Sequence, residues 1–431
     1  MTKSFQYAVV TVSTVLVALL LVGAVLGQST SQAGSDPYRH LNVFTEVFAK
    51  IKADYVEEPD MKSVTLGAIN GLLVSVDPFS SYLNSEQYKR YQKTLSEPKA
   101  GVGLLLSRKY GYEIGIVDAI PGSPADKAGL STGDIIEAIN GISTRDMPLA
   151  YADVLLHGEP GSTVELTILR LRKPEPTKVT LTRAIITPPA VHSKMLDGET
   201  GYIAAVDLSS GASAKVRDAI LALEKKGARK LVLDLRHSAF GDPAEGVPLA
   251  NLFLEKGAIT SLSGQKFAKQ VFEAAAAKAV WKGPLVVLTN RGTSGAAEIA
   301  AAALMDNKRA SVVGERTYGN AALRKPVATE DGGAVLLAVA KYYSPSGKAI
   351  QDSSVTPSVA VADVDTPGPT DEEDSSQQPS AEPKAGAAGE DAILKKALEV
   401  LQTGVVAAQS QPAAAASSME RLGPLGVPRR Q

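Results

Sequence analysis

Residues 288–324 read LTNRGTSGAAEIAAAALMDNKRASVVGERTYGNAALR, and this stretch decides the fold. It begins at the end of a short apolar run, Pro284-Leu285-Val286-Val287-Leu288, expected as a strand. A turn containing Gly and Thr follows, then an Ala-rich segment expected as a helix from about Ala296 to Met305. A second apolar run, Ser311-Val312-Val313, ends at Gly314. A strand that breaks sharply into a helix is a common seat for an exposed nucleophile, because the turn lifts one side chain above the sheet edge. The helix N-terminus aims free backbone N–H groups at the same spot.

The order of residues across this stretch resembles the core of the carboxyl-terminal processing peptidases, a family of Ser/Lys proteases that carry a PDZ domain. Their pattern is approximately N-x-G-S/T-A-S-A-S-E-I, a short helix, then D-x-x-R-A-x-x-x-G-x-x-T-F-G-K-G-x-V-Q. This chain matches at Asn290, Gly292, Thr293, Ala296, Glu298, Ile299, Asp306, Arg309, Ala310, Gly314, Thr317 and Gly319, without a gap. The resemblance puts Gly295 at the nucleophilic Ser, Asn320 at the general-base Lys and Arg324 at the supporting Gln.

Glycine has no nucleophile, so no acyl-enzyme can form. Asparagine is neutral and cannot take a proton from a hydroxyl, whereas a desolvated lysine can. Arg324 stays protonated and is no base. Loss of both partners of a nucleophile–base pair leaves little rate to rescue. The expectation is a pseudopeptidase. The alternative is an active serine endopeptidase that attacks with Ser294, one place early. No lysine then occupies the matching position, because Lys325 falls five residues after Asn320.

The composition narrows the classes further. The chain has 431 residues, enough for two to three domains, with 44% hydrophobic and 21% charged content typical of globular protein. A net charge of −1 suggests no nucleic-acid partner. There is no cysteine, which excludes disulfides, thiolate catalysis and Cys-ligated zinc. The four histidines, His40, His157, His192 and His237, do not pair at metal-ligand spacing, so neither a metal nor another cofactor is expected.

Taken in order, residues 1–35 hold an apolar run from Tyr7 to Leu26 and a polar spacer. Such a run can span a bilayer as a signal anchor, or be a cleaved signal peptide. Either implies export, with the body on the extracytoplasmic side of the cell envelope. Residues 36–94 read as a helical region. Leu41, Phe44, Phe48 and Ile51 form one stripe, and Leu66, Ile69, Leu72, Leu73 and Val76 a second. The segment Val76–Leu83 closes that unit and resembles the family's L-D-P-H-S-S-Y-L, with Phe79 in place of His.

Residues 95–185 resemble a PDZ domain, through Gly101-Val102-Gly103-Leu104-Leu105-Leu106, Pro121–Ala125, Ala128–Leu130, Gly133–Ile136 and Ile139–Gly141. The resemblance implies peptide binding by β-augmentation, the terminal carboxylate resting in a nest of backbone N–H groups. Gly101, Val102, Gly103, Leu104 and Leu106 are the candidate binding residues. His157 stands where the family usually has Arg.

Residues 186–361 are expected as the peptidase-like core. Gly201–Val206, Lys230–Arg236 and the helix Ala214–Lys225 alternate as in a βαβ layout. After Arg236 the family expects x-N-P-G-G, but the chain has His237-Ser238-Ala239-Phe240-Gly241. Phe240, Gly241 and Ala296 are the nearest equivalents of the oxyanion hole. His237 as a replacement base has no serine assigned to it. The run Val335–Tyr343 and its turn Ser344–Lys348 read as structural. Residues 362–390 are an acidic, disordered linker, 391–404 a short amphipathic helix that docks on the body, and 405–431 a disordered tail. The fold expected is thus a multidomain α+β and α/β chain: helical region, PDZ domain and mixed βαβ core of the tail-specific protease type. The expected partners are C-termini of envelope proteins, with an active relative or a second copy as assembly partner.

Overall fold

The computed structural model describes residues 37–96, 100–108, 113–170, 173–187, 191–362 and 391–403. The expected anchor and spacer, nearly all of the acidic linker and the tail lie outside the described residues. Among the described residues no helix is long and apolar enough to cross a membrane.

The chain divides into two compact units, residues 1–68 and 69–431. In the first, the helix Pro37–Asp54 carries the expected stripe, but Leu41, Phe44 and Val47 stay about half exposed. Its rings Phe44 and Phe48 stack at 6.4 Å. The helix lies where the periodicity puts it.

In the second unit, the core is built on a six-stranded sheet. Its order is Val359–Ala360, Ser311–Gly314, Leu285–Thr289, Lys230–Asp234, Thr200–Ala204 and His192–Met195. All neighbours run parallel except the last pair. The three central strands are runs of apolar residues buried on both faces, the pattern a parallel sheet requires. Alternation then sorts their side chains. Leu231, Leu233, Leu285 and Val287 meet Val216, Ile220, Leu223, Ile299 and Leu304 of the helices Ala212–Lys225 and Ala296–Asp306. Val232, Val286, Leu288 and Val313 point the other way, onto Ile393, Ala397 and Leu401 of the helix Ala392–Thr403. Burying an Ile or Leu side chain contributes roughly 2 kcal/mol, enough to hold this short helix on the sheet. Asp391 adds a bridge to Arg236 at 2.7 Å.

A second sheet centres on Ala334–Tyr343, which pairs with Ala258–Gly264, Ala322–Ala328 and Ser81–Leu83. The segment Val76–Leu83 was expected to finish the helical region. Its last three residues instead form a strand of this core sheet, too short for alternation to announce it.

The PDZ module has the sheet order Leu104–Ser107, Ile114–Ala119, Ile135–Ile139, Thr163–Arg170 and Lys173–Thr182, with Ile142–Ser143 beside the third. Leu104–Ser107 is therefore an edge strand. The helix Leu149–Leu156 packs Ala152 and Leu156 into the module's core.

Candidate functional site

Three loops leave the carboxyl ends of the adjacent parallel strands Lys230–Asp234, Leu285–Thr289 and Ser311–Gly314. They bring together His237, the turn Asn290–Gly295, and Thr317–Asn320. Crevices outside the carboxyl ends of strands are where open α/β sheets bind ligands.

The turn is held from within. Asn290 N–H donates to Thr293 Oγ1 at 3.0 Å, and Thr293 Oγ1 donates to Leu235 O at 2.8 Å. Glu298, fully buried on the first turn of the helix, accepts four hydrogen bonds. Gly295 N–H donates at 3.0 Å, Gly319 N–H at 2.6 Å, Asn320 N–H at 2.7 Å, and the Thr317 hydroxyl completes the set. All four partners are donors, the arrangement an ionised carboxylate suits. Burial pushes the Glu298 carboxyl up, against the pull of these donors. The side chain thus ties the turn Asn290–Gly295 to the loop Thr317–Asn320.

Gly295 caps the helix with φ 55° and ψ −111°. A non-glycine residue rarely adopts this conformation, which active sites tolerate as local strain. A Cβ added to Gly295 would lie 3.8 Å from Asn320 O and 3.9 Å from Pro243 Cγ, ordinary van der Waals distances. The turn retains space for a side chain and supplies none. Asn320, beside it, accepts at Oδ1 a hydrogen bond from Arg324 Nη1 at 2.6 Å. Arg324 Nη2 donates to Gln351 Oε1 at 2.7 Å, and the guanidinium lies over the Phe79 ring at 4.4 Å. Burial pulls the Arg324 guanidinium below its ordinary value, with Asp77 opposing. Gln351, just past the turn Ser344–Lys348, thus holds Arg324 in place.

Ser294 is buried at 4% exposure, and its N–H donates to Ser238 O at 2.9 Å. No lysine or histidine forms a hydrogen bond with its hydroxyl among the described residues. The nearer oxyanion candidates separate in space. Phe240 is half-buried and Gly241 pairs with Leu208, where a Cβ would collide with the Leu208 backbone. Pro243, which the sequence reading did not single out, faces Gly295 instead. Ala296 is the first residue of the helix, its N–H free of an intrahelical partner.

His237 has a role the sequence did not reveal. Its Nδ1 lies 3.0 Å from Asp118 Oδ2, on the PDZ strand Ile114–Ala119. Asn290 Oδ1 accepts from His237 N–H at 3.0 Å and Gly292 N–H at 3.1 Å, which turns its Nδ2 toward His237 Nε2 at 3.2 Å. The basic nitrogen is therefore occupied, and His237 cannot act as a general base in this geometry. Gly292 packs on the same carboxylate, where any Cβ would collide with Asp118. Burial alone would lower the His237 pKa, but the Asp118 carboxylate outweighs it and holds the imidazole above its ordinary value. Tyr318 OH donates to Leu106 O at 3.2 Å, and Phe79, Val117 and Tyr318 form a small apolar cluster. These contacts join the PDZ module to the core.

Two cavities meet there. One, of about 410 Å³, is lined by Gly101, Val102, Gly103 and Leu104 with Leu156 and His157. It contains four of the five candidate peptide-binding residues. Gly101 N–H is already spent on Ala184 O at 2.9 Å, which leaves Val102–Leu104 facing the groove. Leu106 lines the second cavity, of about 360 Å³, with Asn320 and Arg324. Leu104, Asp153 and Phe240 border both. Among the described residues no group of three His, Asp or Glu side chains is placed to hold a metal ion.

Comparison with known proteins agrees with this architecture. The models of peptidase family S41 and of the PDZ domain match residues 199–361 and 115–170. The chain is similar to the carboxy-terminal processing protease CtpA of Bacillus subtilis (strain 168), at 35% identity over 78% of this chain and 71% of that one. It is similar to the carboxyl-terminal-processing protease of Synechocystis sp. (strain ATCC 27184 / PCC 6803 / Kazusa), at 33% identity over 72% and 74%. Among solved structures it resembles a photosystem II D1 C-terminal processing protease, with TM-score 0.60 and 27% identity over 74% of this chain and 92% of that chain. The turn Asn290–Gly295, the loop Thr317–Asn320 and the PDZ module on one scaffold, together with these likenesses, make this chain a member of peptidase family S41, the carboxyl-terminal processing peptidases.

Proposed function

We propose that the chain is a catalytically silent member of its family that captures protein C-termini through its PDZ groove on the outer side of the cell membrane. The observation that carries this reading is the pairing of Gly295 with Asn320. Gly295 heads the helix with φ 55° and ψ −111° and has no side chain to attack with, and the amide of Asn320 beside it is engaged by Arg324. Acyl transfer needs a nucleophile whose proton a nearby base can take. Gly295 and Asn320 supply neither half, and among the described residues no lysine or histidine hydrogen-bonds the Ser294 hydroxyl.

Binding survives the loss. Leu104–Ser107 is an edge strand beside an open groove, as strand addition requires. Export is supported by the apolar run between Tyr7 and Leu26. The test is binding of the full chain to a diverse library of peptides with free C-termini and to the same peptides amidated. Selective binding of free termini is expected. Absence of binding across the library would leave a purely structural envelope protein as the better reading.

A further inference from the structure

Arg324 differs from the other well-buried arginines. Arg236 pairs with Asp234 and Asp391, while Arg183 and Arg309 are held mainly by backbone carbonyls. Arg324 has two side-chain amide oxygens and an aromatic face, but no carboxylate. Its Nε is buried without a hydrogen-bond partner, as is Nε2 of Gln351, itself 5% exposed. A guanidinium offers five N–H donors, and two of them are engaged by these amide oxygens. Asp77 is the carboxylate that acts on it electrostatically, yet Asp77 is committed to Phe79 N–H, Ser80 N–H and Ser80 Oγ.

This cation faces the second cavity, whose apolar wall includes Phe79, Leu104, Leu106, Phe240 and Leu336. Lys325 lines it too, and Asp153 is the one carboxylate among its lining residues. The cavity continues the PDZ groove past Leu104. A peptide added to the edge strand could pair along Leu104–Leu105 before meeting Tyr318, whose hydroxyl already donates to Leu106 O. Pairing with Leu104–Leu105 carries the residues just before the terminus, at about 3.3 Å each, along the cavity that these two leucines line together with Arg324.

We infer that the emptied catalytic corner is an anion subsite, in which Arg324 receives an acidic side chain two to four residues upstream of the apolar C-terminus of a bound peptide. The inference rests on the C-terminal capture proposed above and names its ligand class. The carboxylate gains charge-assisted hydrogen bonds from a guanidinium that has no carboxylate partner of its own.

The experiment measures fluorescence anisotropy of the full chain with short labelled peptides ending in leucine. Glu or Gln occupies the second, third or fourth place before the end, and each peptide is made as free acid and as C-terminal amide. A Glu peptide should bind about tenfold more tightly than its Gln counterpart. Arg324→Gln should abolish that preference, and Arg324→Lys should retain part of it. Free-acid selectivity with no Glu preference overturns the inference and leaves C-terminal capture standing. A Glu preference lost in Arg324→Gln, but insensitive to amidation, upholds the anion subsite and overturns C-terminal capture. Loss of both effects overturns both.

Discussion

On the buried side of the turn between Gly292 and Ile299, Glu298 gathers four donors from the turn and the loop Thr317–Asn320. On the side facing the cleft, Gly295 carries no side chain and Asn320 offers an amide to Arg324. The two sides are a few residues apart and have fared differently. The buried side keeps the residues its fold needs, because each removed partner strands a buried polar group. The cleft side has fewer such ties: Gly295 contributes no side-chain contact, and Asn320 contributes one side-chain hydrogen bond, to Arg324. Stability guards the frame of a site more closely than its chemistry.

Breaking the buried side should have the largest effect. Glu298→Ala removes the acceptor of four buried donors and should lower unfolding free energy by at least about 3 kcal/mol, read from the denaturant midpoint. Asn320→Ala, on the cleft side, should cost less than about 1 kcal/mol, since solvent and Arg324 remain. Equal losses would erase the contrast between the sides.

Restoring the cleft side comes next. Gly295→Ser places an L-residue at φ 55° with room for its side chain, so it should fold at a cost of about 1–2 kcal/mol. It should stay inert alone, because no base faces it. Gly295→Ser with Asn320→Lys should gain labelling by a fluorophosphonate, more so with Phe240→Gly added. A double variant that folds but stays unlabelled would show that Arg324 and the His237 loop also block the chemistry.

The smallest effect lies where the PDZ module meets the core. Because the folded-state pKa of His237 is raised by Asp118, its contribution is fully present below the ordinary value of about 6.5 and fades as pH climbs through the raised value. His237 is half-exposed and Asn290 Nδ2 favours its neutral form, so about 1 kcal/mol is the ceiling. Asp118→Asn should flatten this part of the stability–pH curve. An unchanged slope between slightly acid and slightly alkaline pH would remove the pair from the account.

Sequence reading went furthest where a pattern is local. The runs 230–234, 285–289 and 311–314, and the stripe Val216, Ile220, Leu223, are properties of short windows, and they fold as read. The alignment that put Gly295 opposite Asn320 was also legible, because spacing within one segment is rigid. Contacts between distant segments were not. Asp118 and His237 belong to different modules, and nothing near either names the other. Gln351 sits after a turn that looked purely structural, yet its side chain reaches Arg324.

The most direct measurement is turnover of an unfolded protein substrate by the purified chain, run beside its Ser294→Ala variant. The account predicts no cleavage above buffer by either protein. Cleavage by the native chain that vanishes in Ser294→Ala would contradict it.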